Sequence, residues 1–235
     1  MLKFLARSFL SPVARVVYRP RVLGRGNVPK HGAVLLASNH LSFIDSVVIT
    51  LVAPRSVSFL AKAEYFTGSG FRGWVSRAFF SSIGAIPVER AAGQAARDAL
   101  NSGLAVLDAG GAFAIYPEGT RSRDGRIYRG RTGVAWLALK SRAVVVPVAL
   151  TGTQNLQPVG TRFPRLARVT VEFGRPLDLS AHGAAESGGA RRKATDELMA
   201  AIQAMSGQKI AAEYNEPPAQ TVAERVRRVF RRNRL

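Results

Sequence analysis

The chain of 235 residues contains no cysteine, which excludes disulfides and thiolate chemistry. Its three histidines, His31, His40 and His182, stand apart in sequence and form no metal-ligand constellation, so no metal is expected. Long apolar runs are also missing. The richest, Ser46 to Ala53 and Ala143 to Leu150, fall far short of the roughly twenty residues that a spanning helix needs. Acid is scarce and unevenly placed: the formal net charge is +19, and the first 44 residues hold no Asp or Glu. So basic a chain invites a nucleic-acid reading, which predicts aromatics interleaved with the cations. The basic ends instead carry aliphatics and show no helix-turn-helix or RNP pattern, so no nucleic-acid partner is expected.

What is present suits one folded unit, since 47% hydrophobic content over this length makes an α/β domain with a real core. Strand signals at Ala33 to Ala37, Val57 to Leu60, Gly84 to Val88, Ala112 to Ile115, Val144 to Leu150 and Ala167 to Phe173 alternate with helical intervals. That alternation predicts helices flanking a largely parallel sheet. Residues 184–190 read as a flexible loop. Phe71 to Phe80 reads as core or as an apolar wall for a chain-like ligand. Gly68-Ser69-Gly70-Phe71-Arg72-Gly73 matches a dinucleotide fingerprint, but no strand runs directly into it, which argues against a nucleotide site.

Two polar islands each follow an apolar strand: Asn39-His40-Leu41-Ser42-Phe43-Ile44-Asp45 and Tyr116-Pro117-Glu118-Gly119-Thr120-Arg121-Ser122. His is the side chain whose ordinary titration lies nearest neutral pH, which suits His40 to act as a general base. Five helical steps would leave His40 and Asp45 about 140° apart, so a turn must join them. Asp45 is expected in the first turn of a helix running to about Val52. There its carboxylate can fix the imidazole tautomer and leave the other nitrogen to take a proton from an alcohol. With no Cys and no Gly-x-Ser-x-Gly elbow, direct attack by an acceptor hydroxyl is simpler than a covalent intermediate, and Ser42 is the alternative nucleophile. In the second island, Gly119 lets backbone approach a ligand, Thr120 offers a hydroxyl and the Arg121 fork matches phosphate.

Four blocks in order resemble the glycerolipid acyltransferases typified by 1-acylglycerol-3-phosphate acyltransferase. They are Asn39-His40 through Asp45, Gly84-Ala85-Ile86-Pro87-Val88-Glu89-Arg90, Pro117 through Ser122, and the strand Val144 to Leu150 with Pro147 embedded. Glu89 stands where many relatives have Asp. The resemblance implies that His40 is the base and Asp45 its orienting partner, with Arg90, Glu118, Gly119 and Arg121 forming the acceptor site and Lys62 binding phosphate. Glu118 is expected to organise Arg90 or Arg121, because a carboxylate beside a phosphate would repel it. Backbone amides around Gly119 are a candidate source of oxyanion donors. The implied reaction takes a fatty acyl group from acyl-CoA or acyl carrier protein, without a bound cofactor, to the hydroxyl of 1-acylglycerol-3-phosphate. Another lysolipid or glycolipid acceptor and a catalytically silent membrane-binding relative are the alternatives, and intact His40 and Asp45 argue against the second.

The ends suggest how such a protein meets lipid. Leu2, Leu5, Phe9, Val13, Val16 and Val17 recur at helical spacing among Lys3, Arg7, Arg15 and Arg19. Residues 1–25 therefore read as an interfacial helix rather than a secretory signal, because Arg7, Pro12 and Arg15 interrupt the apolar stretch. Residues 26–212 read as the α/β domain and 213–235 as a linker and a basic tail helix with Val222, Val226, Val229 and Phe230 on one side. An anionic membrane surface is the expected partner, with peripheral attachment at the cytoplasmic face.

Overall fold

The structure, a computed structural model, describes residues 18–89, 94–161 and 163–216. The apolar residues of the expected N-terminal helix, Arg90, and the tail from 217 onward lie outside them. Seven strands form the main sheet: β1 (Arg21–Leu23), β2 (Val34–Ser38), β3 (Val57–Lys62), β4 (Ala85–Val88), β5 (Ala112–Ile115), β7 (Val144–Thr151) and β8 (Thr170–Phe173). Their spatial order is β1-β8-β7-β2-β5-β3-β4, and only β7 with β8 is antiparallel. A separate parallel pair joins β6 (Ile127–Tyr128) to β9 (Ile210–Ala211).

The run Val-Leu-Leu-Ala-Ser makes β2 a central strand, buried at all five positions between β5 and β7. A parallel strand covered on both faces has no polar alternation to show. Successive side chains still point to opposite faces. Leu36 packs with Val48, Ile49 and Val52 of α1 (Asp45–Val52), while Leu35 meets the core shared by Leu137, Leu198 and Ile202. Thus α1 lies on one face with α2 (Glu64–Thr67) and α3 (Gly70–Ser82). The other face carries α4 (Gln94–Asp108), α5 (Gly133–Ser141) and α7 (Gly188–Ser206). A one-turn α6 (Thr153–Leu156) follows β7. Each fully buried Leu or Ile in these layers contributes roughly 2 kcal/mol.

The mostly parallel α/β architecture agrees with the sequence reading, with local corrections. β1 joins the sheet at Arg21, so the helical segment read through residue 25 gives way to strand. The last anticipated strand begins at Thr170 rather than Ala167. The loop read over 184–190 ends at Ser187, whose side chain accepts from the Ala190 amide at 3.2 Å and caps α7. Of the anticipated apolar wall, Phe79 and Phe80 pack in or against the core, whereas Phe71 and Trp74 are 78% and 57% exposed. The Gly68 to Gly73 stretch joins α2 to α3. A Cβ on Gly73 would lie 2.0 Å from the Gly68 carbonyl oxygen, so glycine there permits helix contact. Pro147 is tolerated in β7 for a directional reason. Its carbonyl points to the Gly174 amide (2.8 Å), so its ring nitrogen also faces that side, one residue past the last β8 pair at Val148.

Candidate active site

Because β2, β3, β4, β5 and β7 run parallel, their carboxyl ends share one edge, and the blocks singled out in the sequence end there. Ligands of open α/β sheets bind outside this edge. His40 leaves β2, Lys62 ends β3, Glu89 follows β4 and Glu118 follows β5.

The first island folds around one oxygen. Asp45 Oδ2 accepts from His40 Nδ1 at 2.8 Å and from the Leu41 and Ser42 amides at 2.7 and 2.8 Å, and Asp45 is fully buried. The five-residue spacing is what allows this: Leu41 to Ile44 wrap the carboxylate before α1 begins at Asp45. The contact puts the ring proton on Nδ1 and leaves Nε2 as the basic nitrogen. Asn39 anchors the loop behind. Its side chain donates to the Leu150 carbonyl (2.9 Å), accepts from the Leu150 amide (2.7 Å) and donates to Gln208 Oε1 (2.7 Å). Ser42, the alternative nucleophile, is buried and donates its hydroxyl to the Gln157 carbonyl at 2.8 Å, which removes it from attacking duty.

Tyr116, the first residue of the second island, has a role that its sequence position does not show. Its ring stacks on His40, with centroids 3.8 Å apart and planes 12° from parallel, and its hydroxyl pairs with Ser46 Oγ at 2.7 Å. Burial holds that phenol well above its usual range, and the Asp45 charge adds to the effect. An aromatic directly before Pro117, at the end of a strand beside β2, was the available signal.

Glu118 differs from expectation as far as Arg121 is concerned, while Arg90 lies outside the described residues. Glu118 is fully buried, and its two oxygens accept one backbone amide each, His40 (3.0 Å) and Tyr128 (3.0 Å), rather than the side chain of Arg121. Burial pushes its carboxyl up to about 7 against the two amide bonds that favour ionisation. Glu118 therefore holds the backbone of the His40 loop to β6. The Gly119 amide is also committed, donating to the Tyr116 carbonyl at 3.0 Å, so it is not an oxyanion donor. The amides of Thr120 and Arg121 have no acceptor among the described residues.

Arg121 makes no hydrogen bond or ion pair among the described residues and lines a cavity of about 230 Å³ with Arg123, Asp124, Tyr128, Asn215 and Glu216. Lys62 lies on the same edge, 3.5 Å from Glu64 and 40% exposed. The structure thus joins His40, Asp45 and Glu118 in one bonded cluster, while no hydrogen bond or ion pair among the described residues links Lys62 or Arg121 to it. The segment after α7 closes the arrangement: Asn215 donates to the Thr120 carbonyl at 3.2 Å and accepts from Arg131 at 3.2 Å.

A family model described as Acyltransferase matches residues 19–151. A chloroplastic 1-acyl-sn-glycerol-3-phosphate acyltransferase of Arabidopsis thaliana is 30% identical over 159 residues, 67% of this chain and 43% of that protein. A 1-acyl-sn-glycerol-3-phosphate acyltransferase of Borreliella burgdorferi is 29% identical over 57% of this chain and 52% of that protein. The chain spans about half the length of these curated relatives. In fold it is similar to the crystal structure of the 1-acyl-sn-glycerophosphate acyltransferase from Thermotoga maritima. The TM-score is 0.59 at 23% identity, covering 86% of this chain and 82% of that one.

Proposed function

The chain belongs to the acyltransferase family, and on that premise we propose that it acylates 1-acylglycerol-3-phosphate to phosphatidic acid, using acyl-CoA or acyl carrier protein as donor. The observation that carries this reading is the His40–Asp45 pair at the carboxyl edge of the sheet, with the hydroxyl of the nearby Ser42 committed to the Gln157 carbonyl. His40 Nε2 takes the proton of the acceptor hydroxyl as that oxygen attacks the thioester carbonyl carbon. The Asp45 carboxylate stabilises the resulting imidazolium. The tetrahedral oxyanion collapses, the C–S bond breaks, and the departing thiolate takes the proton back from His40. The Thr120 and Arg121 amides are the donors left for the oxyanion. Arg121, Lys62 and Arg90 are assigned to the phosphate of the acceptor, Arg121 because it has no hydrogen-bond or ion-pair partner among the described residues.

Among the described residues no helix is long and apolar enough to cross a membrane. Attachment is proposed to be peripheral, at the cytoplasmic face, through the amphipathic pattern of residues 1–25 and the basic tail. The test is transfer from palmitoyl-CoA and from palmitoyl carrier protein to lysophosphatidic acid by wild type, His40→Ala and Arg121→Ala, with folding matched by circular dichroism. Product lost in His40→Ala and a raised KM in Arg121→Ala are expected. Activity surviving His40→Ala overturns the mechanism. If folded wild type makes no phosphatidic acid from either donor, the proposed acceptor is wrong.

A further inference from the structure

The two longest stretches of the chain without an acidic residue are residues 1–44 and residues 125–171. The sheet brings them together, because β1 pairs with β8 from Arg21 opposite Thr170. Since β8 runs antiparallel to β7, with Thr170 opposite Thr151, the start of β8 lies at the carboxyl edge that also carries His40. The described residues of the connection from α6 to β8, 157–161 and 163–169, therefore stand on the rim of the candidate active site. The connection is tied there at both ends, since at its far end the Val169 carbonyl accepts from the Arg21 amide of β1 at 2.9 Å. Its Gln157 carbonyl accepts from Ser42 of the His40 loop at 2.8 Å, and its Arg165 amide donates to the Leu156 carbonyl at 2.7 Å.

This rim loop exposes apolar side chains instead of hiding them. Leu166 is 78% exposed and Val159 55%, interleaved with the exposed Arg165 and Arg168. Beside it an open groove of about 730 Å³ is lined by Tyr18, Arg19, Arg21, Arg168 and Leu166. Solvent-exposed apolar tips spaced by arginines, with no carboxylate in the same stretch, fit a phase that is apolar within and anionic at its surface.

We infer that the described residues of this loop, 157–161 and 163–169, with the Arg19, Arg21 and Arg168 groove beside them, are a docking surface for an anionic lipid bilayer. Leu166 and Val159 enter the acyl boundary and the arginines meet headgroup phosphates. This contact adds a loop of the α/β domain to the attachment proposed for the chain ends, adjoins the N-terminal segment at Arg19 and Arg21, and turns the His40 edge toward the lipid. It rests on the acyl-transfer reading only in giving His40 a bilayer-borne acceptor to face. A soluble acidic carrier protein would satisfy the charges, but it offers no matching depth for the exposed apolar tips.

The absence of native cysteine makes the test direct. Leu166→Cys, Val159→Cys and Ala109→Cys full-length proteins are labelled with an environment-sensitive fluorophore. Ala109 is exposed and precedes β5, at the opposite edge of the sheet. With phosphatidylcholine vesicles containing phosphatidylglycerol, the probes at 166 and 159 should shift to the blue and brighten, and the probe at 109 should not change. Arg165→Gln and Arg168→Gln should each weaken partition onto those vesicles about fivefold, while leaving the weaker binding to pure phosphatidylcholine unaffected. Silent probes at both 166 and 159 overturn the proposal, as does a response to acyl carrier protein alone with none to vesicles. If the probes respond but no lysophosphatidic acid is acylated, the surface stands and the reading of the reaction falls.

Discussion

Replacing Asp45 with Asn would isolate the role of its charge. Oδ2 faces three donors, His40 Nδ1 and the amides of Leu41 and Ser42, all within 2.8 Å. An Asn amide group turned the wrong way would point its NH2 at these donors, so its carbonyl oxygen must take the Oδ2 position. The His40 ring keeps its orientation and its Nδ1 proton. The Asn NH2 then occupies the position of Oδ1, which meets no partner among the described residues. On the proposed mechanism, what is lost is attraction between the carboxylate and the imidazolium formed during transfer. For charges about 4 Å apart at an effective dielectric near 20, that attraction is on the order of 4 kcal/mol, and partial charge development in the transition state retains most of it. We expect kcat to fall about 10²- to 10³-fold with acceptor KM unchanged. With palmitoyl-CoA supplied as donor, release of its thiol can be followed with a thiol reagent free of protein background, since the chain has no cysteine. A kcat within about tenfold of wild type would refute the electrostatic argument. A loss beyond about 10⁴-fold would refute the claim that the backbone amides preserve the tautomer.

Three further outcomes are expected. Tyr116→Phe keeps the stack on His40 and removes the bond to Ser46, so unfolding free energy should drop by about 1 kcal/mol with kcat changed only a few-fold. Tyr116→Ala removes the stack as well and should cost about 3 kcal/mol or more by denaturant titration. Glu118 carries a folded-state carboxyl raised to about 7, so the native protein holds a proton that the unfolded chain releases near its ordinary value. Its contribution to stability is full in acid and is lost as pH rises toward and through 7, by about 3 kcal/mol in all. The gap between wild type and Glu118→Gln should shrink by that amount between pH 4.5 and pH 8, and a constant gap would show that the carboxyl is not raised. Gly84→Ala should lower the melting temperature by roughly 5 °C. Its φ of +87° is left-handed and a Cβ would stand 2.4 Å from the Val57 carbonyl oxygen, whereas an unchanged melting point would mean the β3–β4 edge yields freely.

The fold was largely legible in the sequence because apolar runs such as Val34 to Ala37 and Val144 to Leu150 are too short for helices and are separated by helical intervals. What escaped were β1, β6 and β9, two or three residues each, which are too short to show a period. Within the site, the turn that joins His40 to Asp45 was legible from spacing alone. The partners of Glu118 were not, because they are backbone amides, and every residue offers one. The same limit hid Ser42, whose hydroxyl looks reactive on paper but bonds a carbonyl 115 residues away. Tyr116 read as the last residue of a strand, since nothing local reveals that β2 and β5 are neighbours and that their ends bring two rings face to face.

The family match ends at residue 151, yet the bonds that set the His40 loop do not. Gln208 holds the side chain of Asn39, Asn215 holds the Thr120 carbonyl, and Leu198 and Ile202 complete the core under β2. The part of the chain that carries the recognisable blocks is therefore not the part that can be cut out and expected to work. A fragment ending at 151 would retain His40 and Asp45 and lose the posts to which their loop is tied. For any chimera or minimal catalytic unit built from this protein, the boundary belongs after Asn215.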